Sequence, residues 1–175
     1  MTDCPPDDPA LTLPAKADIV IALRAQIAAQ LQRAHAAAAT AFAAATHEEA
    51  RPENKYDTRA LEQSYLSAGQ AARIAALRGL NAALHTYQPP PERMERVGPG
   101  ALVVVEHRAG EAATVRRLFI VPLSVGELIT MGDVQIHVVD AHAPMPLALR
   151  GREEGDVAVL GSGPKARALT VLAVR

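Results

Sequence analysis

The sequence predicts an α+β protein: a long antiparallel α-helical hairpin (a two-helix coiled coil) followed by a small β-rich domain. Three observations predict it. From Ala15 to Thr46 the chain contains no Gly or Pro and is dominated by Ala, Leu, Gln and Arg, a strongly helix-forming composition. A second stretch of similar character runs to Tyr87, after a polar break at residues 47–57. Three consecutive prolines, Pro89, Pro90 and Pro91, then end the helical pattern, and the apolar spacing changes to short β-branched runs.

Residues 1–14 (MTDCPPDDPALTLP) read as a disordered acidic tail, with Pro5, Pro6, Pro9 and Pro14 opposing regular structure. The tail lacks the basic and apolar regions of a secretory signal. Residues 15–87 form the hairpin. In its first helix Leu23, Ile27 and Leu31 recur at i+4, and Ala34, Ala38 and Phe42 extend the stripe. In its second, Leu61, Tyr65, Ala68 and Ala72 form one apolar line that Ile74, Leu77, Leu84 and Tyr87 continue. Neither stripe is stable in water alone, so the two helices fold back on each other. Pro52 breaks the first helix, and Asn54 or Asp57 caps the second.

Residues 88–96 are a stiff Pro-rich linker, and residues 97–175 form the β-rich domain. Strand candidates are Ala101–Val105, Val115–Val121, Val134–Val139, Val157–Leu160 and Leu169–Val174, in an antiparallel-looking arrangement. Leu147–Arg150 reads as one helical turn ending at Gly151. Gly161-Ser162-Gly163-Pro164-Lys165 lacks P-loop spacing and reads as a hairpin turn.

Composition narrows the function. The formal net charge of -1 argues against direct, non-specific nucleic-acid binding. Cys4 is the only cysteine, which excludes an internal disulfide and cysteine-rich metal sites. No apolar run approaches the ~20 residues of a membrane span. The expectation is a cytoplasmic protein, monomeric because the hairpin closes on itself, with no membrane association.

The hairpin tip holds Glu48, Glu49, Glu53 and Asp57 within ten positions. Taken alone, such a run describes a solvated polar turn. Placed at the end of a long helical pair, the same carboxylates can be delivered into a channel. Oxygen ligands from two of them suit Mg²⁺, which keeps waters or substrate phosphates in its remaining positions. With Arg51 and Lys55 interleaved, the site does not enclose a metal by itself, so a second protein completes it. The six histidines show no metal-ligand spacing, and Ser124 and Ser162 have no nucleophile-elbow context.

Two motifs carry a resemblance. Ala143-Pro144-Met145-Pro146-Leu147-Ala148-Leu149-Arg150-Gly151-Arg152-Glu153-Glu154-Gly155-Asp156-Val157 resembles the Gre transcription elongation factor segment that runs Ser-Pro, a few residues, Ala-Leu-Leu-Gly, then Gly-Asp before a strand. Pro144, Ala148, Leu149, Gly151, Gly155 and Asp156 fall in register. Pro52-Glu53-Asn54-Lys55-Tyr56 is similar to the Ser-Glu-Asn stretch at the Gre coiled-coil tip. The order of parts also matches, with a C-terminal domain called FKBP-like in that family, and the likeness covers residues 15–175.

The resemblance implies RNA polymerase as the partner, with nucleic acid met only within the transcription complex. It implies an accessory factor and not an enzyme. The globular domain grips the rim of the polymerase secondary channel and the hairpin passes down it. Tip carboxylates then help hold an Mg²⁺ shared with the polymerase, whose own active site cleaves backtracked RNA by two-metal chemistry. By position Glu53 matches the tip Glu and Asn54 its following Asn, a contact to the partner. Glu49 and Glu53 are the expected metal ligands, with Glu48 and Asp57 as further candidates for the catalytic role. His142, Ala143 and Pro144 lie on the expected docking surface.

The chain departs from the family at three places. The Asp usually found three residues before the tip Glu is Ala50 here, so a one-residue shift is needed for Glu49 to substitute. The Ser of Ser-Glu-Asn is Pro52, and the frequent Asp-Ser before the docking proline is His142-Ala143. A channel-binding regulator that does not stimulate cleavage is therefore a second hypothesis, favoured by Ala50. A peptidyl-prolyl isomerase is a third, against which stands the single aromatic residue after Tyr87, Phe119. A purely structural coiled-coil adaptor is a fourth.

Overall fold

The structure is a computed structural model of the chain. It describes residues 13–46, 59–109, 112–163 and 166–175. Two compact units are present. Residues 24–87 form one; the other comprises the chain up to Leu23 and from Gln88 onward.

Helix α1 spans Lys16–Thr46 and helix α2 spans Arg59–Thr86. Pro14 precedes α1, Ile19 opens its backbone ladder by donating to the Ala15 carbonyl at 3.2 Å, and Asp18 places negative charge against the positive end of the helix dipole. Within the first unit α1 and α2 run antiparallel, because Arg24 reaches the Leu84 and Tyr87 carbonyls while His35 meets Arg78. Buried positions on α1 include Val20, Leu23 and Ile27, and those on α2 include Leu77 and Leu84. Each set keeps the three- or four-residue spacing, or multiples of it, that holds side chains on one helix face.

Two parts of the expected stripes lie elsewhere. Phe42 is 72 % exposed. Successive i+4 steps drift about 40° each at 3.6 residues per turn, and Phe42 stands roughly 100° round the helix from Leu23. Ala68 and Ala72 are exposed. They lie on the side of α2 away from Leu77, about 180° and 140° round the axis. The side chains of Leu61 and Tyr65 lie outside the described residues.

The second unit is built on a six-stranded sheet of order β3-β4-β2-β1-β6-β5. The strands are β1 Leu102–Ala109, β2 Ala112–Val121, β3 Gly126–Met131, β4 Val134–Asp140, β5 Val157–Leu160 and β6 Arg167–Val174. Helix α3, Pro144–Leu149, connects β4 towards β5. Four of the five strand pairings are antiparallel, but β2 and β4 are parallel. The sheet is therefore mixed, which corrects the antiparallel expectation. Strand β3 takes the antiparallel place beside β4, and β4 then enters next to β2 in the same direction.

Leu102–Val105 is a continuous apolar run because both faces of β1 are covered. Val103 and Val105 join Leu118, Ile120, Leu169, Val171 and Ala158 in a cluster closed by Leu149 of α3 and by Val97. Burying a leucine such as Leu149 contributes about 2 kcal/mol. On the opposite face Leu102, Val104, Phe119, Ile136 and Val138 are fully buried. Strand β6 carries a bulge at Leu172, since Val104 faces Ala173 and Val105 faces Val171.

Strand β3 was not expected from the sequence. It is an edge strand in which Ile129 is buried and Leu128 is 42 % exposed, so alternation is weak. Helix α3 begins at Pro144, earlier than the expected turn at Leu147–Arg150. Proline is accommodated there because the first helical N–H has no intrahelical acceptor.

The Pro-rich stretch is bound to its own unit. Lys16 is fully enclosed; its backbone N–H donates to Glu92 Oε1 at 3.0 Å and its Nζ donates to the Pro91 carbonyl at 2.8 Å. Arg175 donates to the Leu13 carbonyl at 3.1 Å and lies 3.8 Å from Glu92.

Candidate functional site

The proposed tip lies between the end of α1 at Thr46 and the start of α2 at Arg59. Glu48, Glu49, Ala50, Glu53, Asn54 and Asp57 all fall outside the described residues. Among the described residues there is no group of three or more His, Cys, Asp or Glu side chains able to hold a metal ion.

The other candidate residues, His142, Ala143 and Pro144, are described in full. Strand β4 ends at Asp140, whose N–H donates to the Val125 carbonyl at 3.1 Å. Ala141 N–H donates to the Val121 carbonyl at 2.8 Å, and Ala143 N–H donates to the Asp140 carbonyl at 2.9 Å, closing a tight turn. The Asp140 carboxylate braces that turn. Its Oδ1 accepts the His142 backbone N–H at 2.8 Å and lies 3.0 Å from His142 Nδ1. Ser124 Oγ donates to Oδ2 at 3.4 Å. These bonds hold the Asp140 carboxyl below the usual carboxylate range; the His142 backbone N–H is the largest cause and its side chain the next.

Ala143 stands at the N-cap of α3 with extended backbone (φ -67°, ψ 153°) and no side-chain cap. Its carbonyl accepts the Leu147 N–H at 3.0 Å. Pro146 and Leu149 point into the core, while Pro144 and Leu147, one turn apart, are exposed. Leu147 is 48 % exposed and the His142 side chain 80 %. The loop thus presents an imidazole, a proline ring and a leucine from a backbone whose N–H groups make five hydrogen bonds.

The remaining motif residues organise the entry to β5. Gly151 (φ 75°) and Gly155 (φ 89°) adopt conformations that L side chains resist. Gly151 N–H donates to the Val97 carbonyl, and Val97 N–H to the Arg152 carbonyl, both at 2.8 Å. Asp156 Oδ2 accepts the Glu153 N–H at 3.0 Å. Of the other histidines, His107 is buried in β1, and the His137 imidazole is pushed below its ordinary value by burial and then by Arg116.

The sequence reading missed Asp140, Ser124 and Leu147. An Asp two residues before His142 and four before a helix-opening proline is the pattern of an Asx turn, and it was the available signal.

No protein-family model matches the chain. No curated protein matches it either. Its structural neighbours are Gre-type transcription factors. The transcription factor Gfh1 is 21 % identical, with a TM-score of 0.37 and coverage of 88 % of this chain and 94 % of that one. Gfh1 of Thermus aquaticus is 19 % identical, with a TM-score of 0.35 and coverage of 91 % and 94 %. The GreA/GreB elongation factor from Nitrosomonas europaea is 20 % identical, with a TM-score of 0.33 and coverage of 57 % and 78 %. No described helix is long and apolar enough to cross a membrane.

Proposed function

We propose that this chain is a Gre-like factor that binds RNA polymerase in its secondary channel and stimulates cleavage of backtracked RNA. The observation that carries the reading is the pairing of α1 with α2: Arg24 with Leu84 and Tyr87, then His35 with Arg78, makes an antiparallel hairpin. Its connecting segment contains Glu48, Glu49, Glu53 and Asp57. Helices of this length reach about 45 Å, enough to pass down a channel. The braced loop at His142, Ala143 and Pro144 supplies an exposed surface for docking on the channel rim.

In this reading the chain is an accessory factor, not an enzyme. Glu49 and Glu53 offer carboxylate oxygens to the Mg²⁺ of the polymerase, a donor set that suits a hard cation. Held there, the ion would supply one half of a two-metal pair, in which one ion activates the attacking water and the other stabilises the leaving oxygen. Glu48 and Asp57 add negative charge, and Asn54 contacts the partner.

The second reading, a channel-binding regulator without cleavage stimulation, is favoured by Ala50, which removes a carboxylate from the position three residues before Glu53. Isomerase activity has little support, because Phe119 is wholly buried in the sheet and unavailable to line a proline pocket.

The test adds the protein and Mg²⁺ to a halted, backtracked polymerase complex. Accelerated release of short 3′ RNA fragments, lost in Glu49→Ala or Glu53→Ala, is the expected result. Binding with slowed synthesis and no fragments selects the regulator. Absence of polymerase binding removes both readings.

A further inference from the structure

We propose that Asp140 is a positioning residue that fixes the tautomer of His142, so that the docking loop offers the imidazole Nε2 as a hydrogen-bond acceptor to a donor group on the polymerase. The inference rests on the reading of residues 142–144 as a docking surface. It goes further in naming the chemistry of the contact and the residue that sets it.

The argument starts from the Asp140 carboxylate. Ionised, it has no proton to donate, so the 3.0 Å contact between its Oδ1 and His142 Nδ1 requires the hydrogen on Nδ1. A neutral imidazole carries one ring hydrogen. With that hydrogen on Nδ1, Nε2 is left as an acceptor. The same Oδ1 accepts the His142 backbone N–H at 2.8 Å, fixing the backbone as well as the ring, and Ser124 Oγ steadies the second oxygen at 3.4 Å. The side chain is 80 % exposed, so Nε2 is accessible from solvent.

The apolar part of the surface lies beside it: Pro144 and Leu147 are exposed on one face of α3. An acceptor next to a small apolar step suits a partner surface that offers an Arg or Lys side chain, or a free backbone N–H, beside an apolar residue.

The groups facing His142 are Asp140 from the end of β4 and, through Asp140, Ser124 from the β2–β3 connection. The first turn of α3 contributes no acidic side chain.

The test measures affinity of the full chain for core RNA polymerase by fluorescence anisotropy, with imidazole ¹⁵N shifts recorded on the free chain. Nδ1–H is the expected tautomer, and Nε2–H overturns the proposal without reference to polymerase. Asp140→Ala is expected to weaken binding about five-fold, and Asp140→Asn, whose amide oxygen still accepts both N–H groups, to restore most of it. His142→Phe is expected to weaken binding by a similar factor and to leave Asp140→Ala without further effect. If Asp140→Ala fails to fold, the wild-type tautomer together with the affinity of His142→Phe decides alone. Binding that is indifferent to His142 overturns the proposal and leaves the docking reading intact. A wild-type chain that does not bind polymerase overturns both.

Discussion

Arg24 donates from Nε to the Leu84 carbonyl at 2.8 Å and from a terminal nitrogen to the Tyr87 carbonyl at 3.0 Å, so one guanidinium on α1 closes the C-terminal end of α2. The last carbonyls of a helix have no intrahelical donors, and a cation there also meets the negative end of the dipole. Replacing Arg24 with Met should cost about 1–3 kcal/mol of hairpin stability. Arg24→Lys should recover only part, because an ammonium does not reproduce the planar fork. Helical circular dichroism during thermal unfolding measures the effect. Equal melting curves for wild type and Arg24→Met would remove the closing role.

The buried face of the hairpin separates residues that the sequence presents as equivalent. Leu84 is fully buried and Phe42 is 72 % exposed. Leu84→Ala should destabilise the hairpin by about 2–5 kcal/mol, and Phe42→Ala by less than about 1 kcal/mol. Hydrogen exchange of α2 amides reads the difference. A larger loss for Phe42→Ala would show that the seam has been misplaced.

That contrast marks what composition and periodicity reveal. The helices are legible because residues 15–46 contain no helix breaker, and β1 is legible because a strand covered on both faces is apolar throughout. Which face of a helix is buried was harder to read. Alanine occurs all round α2, so the line through Ala68 and Ala72 has the right spacing on the wrong side. Strand β3 escaped because an edge strand needs little apolar alternation. Helix α3 starts three residues before the expected turn because its first turn accommodates Pro144. Asp140 and Lys16 act through contacts whose partners periodicity cannot supply: a tight turn for one, and a carbonyl 75 residues away for the other.

Lys16 provides a pH test. Burial pushes its ammonium below the ordinary 10.5, Glu92 opposes the shift and Arg175 adds to it. Between the folded value and 10.5 the unfolded chain binds more protons than the folded one. Stability from this residue therefore rises with pH across that window. Lys16→Met should change stability at neutral pH by no more than about 1 kcal/mol, since losing the bond to Pro91 is offset by no longer burying a charge. It should also flatten the alkaline rise. Tyr87, whose phenol burial pushes above 10.0, titrates in both proteins and cancels from the comparison. Denaturant curves from neutral pH towards 10.5 measure the difference. An identical rise in the variant would assign the effect to another group.

Gly100 and Gly98 are two residues apart and should respond oppositely to the same substitution. Gly100 has φ of 90°, where an L side chain is strained, and a Cβ there would run into Cγ and Cδ of the Pro90 ring. Its N–H donates to the Ile120 carbonyl at 2.6 Å, so the backbone has little freedom to retreat. Gly98 has no atom within 4 Å of a built Cβ and no such φ. Gly100→Ala should cost about 2–4 kcal/mol, from backbone strain and overpacking together. Gly98→Ala should be neutral or stabilising by up to about 1 kcal/mol, because it restricts the unfolded chain. Pro90→Ala introduced with Gly100→Ala should relieve the collision and leave the strain, a non-additivity that a double-mutant cycle isolates. Exchange of the β1 amides reports the stability of this unit. If Gly100→Ala costs no more than Gly98→Ala, the triproline does not pack against the start of β1 as described.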